Sequence, residues 1–245
     1  MIINLDDKKI LKLNSTRDFI CRIIKKEYTN FDDDLSNLHS FVELREINSL
    51  RLKIFTKVNQ NLNWESLIKT VCGKELESIH GKDLLVQSKI NVSIQLPKDK
   101  TSILPVHTDS NSADSPFQTN VWIPLTNAFK SNSMFIFSRS DSLKFYKQIS
   151  KGKKKLIFPK TKYSNNYVNL KYGQLFLFNP SLLHGNQLNV TNKTRVSLNI
   201  RVKSLFSPEP SNRNPDRRVG TYYKKFQISD DTKFGLQIIK SDFFK

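Results

Sequence analysis

The chain has 245 residues, enough for one large domain with a helical appendage and short of two full ones. At 38% hydrophobic and 11% aromatic it can bury a sizeable core, and no run of about 18 uncharged apolar residues is present to span a membrane. Lys and Arg number 40 against 22 Asp and Glu, a net charge of +18 that is spread along the chain and gathered in no single arm or helix. That dispersal argues against a specific nucleic-acid footprint and suits attraction of a phosphorylated small substrate. The opening MIINLDDKKILKLNS lacks the apolar stretch of a secretory signal. Cys21 and Cys72 stand far apart, matching neither a zinc site nor a disulfide framework, so the expected home is the reducing cytoplasm.

Residues 1–83 read as a helical region packing on the rest of the domain. The stretch 15–28 (STRDFICRIIKKEY) opens on a Ser/Thr cap and carries Phe19, Ile20, Ile23 and Ile24 on one helical face. A second amphipathic pattern runs over 32–55, and a third, shorter one over 63–71 (NWESLIKTV). Beyond residue 84 the character changes to short alternating or apolar runs. They fall at 86–96, 102–109, 117–125, 134–138, 155–158, 167–170, 174–178 and 194–205, with Pro, Asn, Ser and Gly clusters between them. Eight short strands predict a sandwich or barrel over 84–206. The lysine run at 151–155 reads as a solvated hairpin loop, and 207–245 as a polar, irregular extension of the same domain.

The chemistry begins in LPVHTDSNS. On a strand, His107 and Asp109 leave the same face, so an imidazole and a carboxylate project side by side. His184 lies 75 positions beyond Asp109 and supplies a third ligand. Two histidines and one carboxylate on one face of an ion make the facial triad of non-haem Fe(II) oxygenases, which leaves positions open for a co-substrate and O₂. Arg195 follows His184 by 11 positions and shares a strand face with Ser197, Asn199 and Arg201. Val196, Leu198, Ile200 and Val202 make the opposite face apolar. A buried arginine needs an anion, and a guanidinium beside a hydroxyl is a bidentate seat for a carboxylate. Asp114 is the rival carboxylate ligand, in a loop off the strand face.

His107-x-Asp109, the distal His184 and Arg195-x-Ser197, in that order, resemble the motif set of Fe(II)/2-oxoglutarate-dependent dioxygenases. More narrowly, SPFQTNVWIPL, LFNPSLLHGN and RVSLNIRVKSLFSP resemble the dioxygenases of bacterial surface-carbohydrate clusters, distant relatives of the phytanoyl-CoA hydroxylase group. The resemblance covers roughly residues 86–206 and implies a mainly β fold with N-terminal helices, a double-stranded β-helix or jelly-roll, cupin-like barrel. It implies Fe(II) on His107, Asp109 and His184, and 2-oxoglutarate with its distal carboxylate on Arg195 and Ser197. It also implies Trp122 near the co-substrate, a residue that otherwise reads as a core aromatic. Gln95 reads as an edge-facing amide or as a hydrogen-bond partner of 2-oxoglutarate or substrate. Asn199 and Arg201 read as substrate contacts, Arg201 for an anionic group or a surface acid. In related halogenases a small residue replaces the carboxylate, so Asp109 implies hydroxylation or another oxidation. The expected substrate is a sugar or sugar nucleotide. The alternatives are an oxygenase of lipid, amino acid or nucleic acid, or a cupin-like barrel that binds metal or sugar without oxygen chemistry.

Overall fold

The computed structural model describes residues 1–112, 114–152, 163–208 and 219–240. Its centre is an antiparallel sheet built around one long strand. The strands are β1 (Ile2–Asn4), β2 (Leu84–Gln87), β3 (Asn91–Gln95), β4 (Thr119–Pro124), β5 (Met134–Ile136), β6 (Gln174–Phe178), β7 (His184–Asn186), β8 (Arg195–Ser204) and β9 (Tyr223–Gln227). The helices are α1 (Asp7–Lys25), α2 (Ile47–Asn61), α3 (Trp64–His80), α4 (Arg139–Ser150) and α5 (Asp230–Lys240). The main sheet runs β1-β6-β4-β8-β2-β9, and β3 shares with β2 the edge of β8 that faces away from β4. A two-stranded sheet, β5 with β7, carries His184.

Alternation along β8 decides which layer packs where. Val196, Leu198, Ile200 and Val202 are fully buried and join one cluster with Leu13 and Ile24 of α1, Ile54 of α2 and Leu67 of α3. Each such side chain contributes about 1.5–3 kcal/mol relative to exposure, so the helical layer locks one face of the strand. A one-residue slip would turn every apolar group into the cavity. Arg195, Ser197, Asn199 and Arg201 are thereby committed to the cavity side, as the pattern predicts.

Several boundaries differ from expectation. Helix α1 starts at Asp7, since the Asp6 carboxylate accepts from the Lys9 amide at 2.9 Å. Ser15 and Thr16, expected to cap it, lie inside and donate back to the Leu11 and Lys12 carbonyls. The pattern at 32–55 splits into a 3-10 turn at Leu35–Ser40 and α2. The acidic run before the turn folds on itself, with the Asp34 amide on Asp32 Oδ1 and Asp33 at φ 63°. Helix α3 runs on to His80, where Gly81 at φ 81° stops it.

The run at 86–96 is two strands, and 167–170 contributes only isolated bridges. β1 lies inside the region expected to be helical, and β9 and α5 inside the extension expected to be irregular. The strand expected at 155–158 lies outside the described residues, as does the end of the 151–155 run. Cys21 and Cys72 are free and buried in α1 and α3. Among the described residues no helix is long and apolar enough to cross a membrane.

Candidate active site

His107 does not sit on a regular strand as expected. Proline precedes it by two positions and TDSNS comes after it, chemistry that favours turns, and Asp109 opens a 3-10 turn at Asp109–Ser112. Two other constraints bring the three groups together. His107 and His184 pair across an isolated antiparallel bridge, each backbone amide donating to the other's carbonyl at 2.9 Å. The Asp109 amide donates to the Pro180 carbonyl at 3.0 Å, tying the turn to the segment before His184. Gly185 permits this close approach, because a Cβ there would lie 2.7 Å from the Leu104 carbonyl oxygen and 2.9 Å from that of Pro105.

The result is a cluster in which one donor atom each of His107, Asp109 and His184 lies within 4.8 Å of the others. Asp109 Oδ1 stands 3.5 Å from His107 Nε2 and 3.8 Å from His184 Nε2. Both Nδ1 atoms face carbonyl oxygens at 2.7 Å, that of Pro105 for His107 and of Leu182 for His184. Those acceptors hold the proton on Nδ1 and leave the Nε2 lone pairs toward the centre, the tautomer a metal requires. Burial pushes the His184 pKa down to about 4 despite the Asp109 charge, so the imidazole stays neutral. Burial also opposes the ionised form of Asp109, but the neighbouring His107 imidazole, the Arg201 charge and the Asn120 amide outweigh it and hold the carboxyl well below its usual range. Burial opposes a charge on His107 as well, yet Asp109 raises its pKa, so a metal there would displace a proton. Two imidazoles and one ionised carboxylate fit a first-row divalent metal.

Asp109 Oδ2 points away from the histidines. Asn120 Nδ2 donates to it at 2.6 Å, and Arg201 Nη2 lies 3.2 Å off. The sequence reading missed Asn120, whose amide on an otherwise apolar strand was the available signal. Arg201, expected at an anionic substrate or a surface acid, lines the cavity and meets carboxylates of the chain itself. Its Nε is 2.9 Å from Asp114 Oδ2 and its Nη1 donates to Gln87 Oε1 at 3.2 Å. Asp114, the rival ligand, is buried against Arg201.

Arg195 differs. It is 3% exposed and meets no carboxylate among the described residues. Its Nη1 donates to Ser197 Oγ at 3.1 Å, its Nη2 to Gln95 Oε1 at 3.1 Å and Ser93 Oγ at 3.4 Å, while Nε has no partner. Burial, then the nearby Arg51 charge, lowers its pKa to about 10. Trp122 presents its ring 5.8 Å from the guanidinium carbon. Gln95 is buried behind Arg195, with its own Nε2 on the Gln187 carbonyl at 2.5 Å, and does not reach the cavity wall where contact with a ligand was expected. Asn199 does reach the wall, and its Oδ1 is buried without a partner. His39 and His80 bond Thr194 and Thr119, away from the cluster.

All three cluster residues, Arg195, Ser197, Asn199, Arg201 and Trp122 line one cavity of about 450 Å³, a size suited to small molecules. The fold and site thus define a two-histidine, one-carboxylate centre facing a cavity on an antiparallel sheet, with a buried cation in the same wall.

No model of a known protein family matches the chain. Among curated proteins it is similar to the streptomycin biosynthesis protein StrG of Streptomyces griseus, 22% identical over 168 residues and 68% of this chain. That match spans 66% of the relative's length. Among solved structures, the apo form of the non-heme monooxygenase ThoJ is similar with a TM-score of 0.51 and 16% identity, over 94% of this chain and 81% of that one. HygX from Streptomyces hygroscopicus, with nickel and 2-oxoglutarate bound, gives a TM-score of 0.50 and 13% identity over 95% and 93%. At such identities the likeness is one of fold.

Proposed function

We propose that this protein is an Fe(II)- and 2-oxoglutarate-dependent dioxygenase with a double-stranded β-helix core, oxidising a small polar substrate. The observation that carries the reading is Arg195, a buried cation that meets no anion among the described residues, in the cavity wall that also holds the His-Asp-His cluster. Leaving a charge buried and unpaired is costly, so a binding partner that brings a carboxylate is favoured there. HygX, of similar fold, binds nickel and 2-oxoglutarate, which supports the same pair here.

In this reading His107 Nε2, Asp109 Oδ1 and His184 Nε2 hold the metal. Arg195 and the Ser197 hydroxyl bind the distal carboxylate of 2-oxoglutarate, and Gln95 keeps the guanidinium aimed. Trp122 covers the guanidinium and excludes water, strengthening the ion pair. When bound, Fe(II) and 2-oxoglutarate supply the reduction of O₂, giving succinate, CO₂ and one oxygen atom for the substrate. Asn48, Asn91, Ser93 and Asn199 line the cavity with neutral amides and hydroxyls, which suits a polyhydroxylated substrate. A sugar or sugar nucleotide fits that lining and the basic balance of the chain. The biosynthetic role named for StrG supports small-molecule biosynthesis, and two free buried thiols suit a reducing compartment. A barrel that only bound metal or sugar would leave Arg195 without a use.

The test is a thermal melt with Ni(II), 2-oxoglutarate, or both. A ligand that binds only the folded state raises the midpoint, and 2-oxoglutarate is expected to do so only when the metal is present. His107→Ala, Asp109→Ala and His184→Ala should fold and lose the metal response. A response to 2-oxoglutarate without metal, or a retained metal response in these variants, would overturn the reading.

A further inference from the structure

Behind Asp109 lies a chain of polar side chains that never reaches the cavity. Asn120 Nδ2 donates to Asp109 Oδ2 at 2.6 Å, and Gln118 Nε2 donates to Asn120 Oδ1 at 3.3 Å. The Tyr223 hydroxyl in turn donates to Gln118 Oε1. Gln118, Asn120 and Tyr223 are 1%, 0% and 1% exposed, so water cannot substitute for a missing partner. Tyr223 belongs to β9, in the C-terminal extension, more than 100 positions from the other two.

A primary amide is nearly symmetric in shape, so packing alone does not choose which end faces which neighbour. Hydrogen bonding does. The Tyr223 hydroxyl donates to the glutamine oxygen and leaves the glutamine NH₂ for Asn120, and the carboxylate, which only accepts, holds the same sense from the other end. That NH₂ turns the asparagine oxygen inward and its NH₂ toward the carboxylate. With the sense reversed, the asparagine oxygen would face Asp109 and repel it. Asn120 is also directly paired with Arg201 across β4 and β8, so both partners of Oδ2 come from one register position of the sheet.

We propose that Tyr223, Gln118 and Asn120 form a directional relay that presents a donor to Asp109 Oδ2 and leaves Oδ1 for the metal. They are positioning residues of the centre proposed above, and the inference rests on that reading. The C-terminal extension therefore helps to set the metal centre although it contributes no ligand.

The experiment measures Ni(II) binding by calorimetry and the visible absorption of the Co(II)-loaded protein. Removing an outer partner of a metal ligand typically weakens metal binding about 10–100-fold, and this is expected for Asn120→Ala, with Tyr223→Phe near the lower end. In the Asn120→Ala background, Tyr223→Phe should add less than about a twofold loss, because the relay is already broken. The Co(II) bands should shift in both single variants. Metal-free melting checks folding, and if Tyr223→Phe does not fold, Gln118→Met, close in size but without the amide, reads the same relay. Wild-type affinity in Tyr223→Phe, or an equal loss in both backgrounds, would overturn the relay while Ni(II) binding by wild type and its loss in His184→Ala keep the centre intact. A folded wild type that binds no Ni(II) would overturn the centre, and the relay with it.

Discussion

Strand β8 carries two arginines on one face, six positions apart, Arg195 buried and Arg201 half-buried, in opposite electrostatic circumstances. At one end Arg201 lies against Asp109 and Asp114, whose charges outweigh its burial and raise its pKa. At the other end Arg195 has only hydroxyls, an amide and an aromatic face, and burial lowers its pKa to about 10. Among the described residues the fold supplies the anions for the first arginine and none for the second. One guanidinium neutralises the Asp109 and Asp114 carboxylates, and the other meets no counter-charge among the described residues. The same residue type therefore has two meanings, and its neighbours decide which.

The same substitution at both positions breaks this comparison open. Arg201→Met should cost the metal-free protein about 3–5 kcal/mol, because two buried carboxylates lose their cation. Added Ni(II) should recover part of that loss by giving Asp109 a new positive neighbour. Urea unfolding with and without Ni(II) measures both, and an equal deficit in the two conditions would remove Arg201 from the metal end of the site.

Arg195→Met should behave the other way. Replacing an unpaired buried charge with an apolar chain of similar length leaves stability near wild type or higher when no ligand is present. The loss appears in binding, where a charge-assisted hydrogen bond is worth about 1.5–3 kcal/mol, or roughly tenfold to 150-fold in the KM for 2-oxoglutarate. The KM of the prime substrate should move far less. A strongly destabilised variant with unchanged 2-oxoglutarate dependence would make Arg195 a core residue and nothing more.

The two arginines also mark how much the sequence discloses. Alternation along 195–202 is a local spacing and places both on the cavity side, while H-x-D with a distal histidine picks out the cluster through its resemblance to a known motif set. What stayed hidden is the pairing partner of each group. Arg201 read as a contact for an anionic substrate or a surface acid because Asp109 and Asp114 lie far back in the chain, before β4, and meet it only in the folded protein. Gln95 read as a ligand contact because nothing local reveals that Arg195 stands in front of it. Strand β7 escaped notice because three residues carry no periodicity, and its place is fixed by the bridge to His107. Helix α4 was missed although Ser138 caps it through the Asp141 amide at 3.1 Å, a signal that the polar run RSDS obscured.

The smallest effect sharpens the comparison most finely. Ser197 is fully buried in the wall between the two arginines, and its oxygen accepts from Arg195 Nη1 at 3.1 Å. A hydroxyl that accepts from a guanidinium keeps its own proton for a second partner, and a carboxylate seated on Arg195 is within the chemistry of that donor. Ser197→Ala removes one hydrogen bond and no charge, and is expected to raise the KM for 2-oxoglutarate by an amount matching about 0.5–1.5 kcal/mol, roughly twofold to twelvefold. The kcat and the KM of the prime substrate should hold, and Ni(II) affinity should not change, because the serine touches neither the cluster nor the partners of Asp109. Steady-state titration of 2-oxoglutarate at saturating prime substrate makes the measurement. An equal shift in both KM values would mean that the serine only fills space, and would weaken the case for a carboxylate seat at this end of β8.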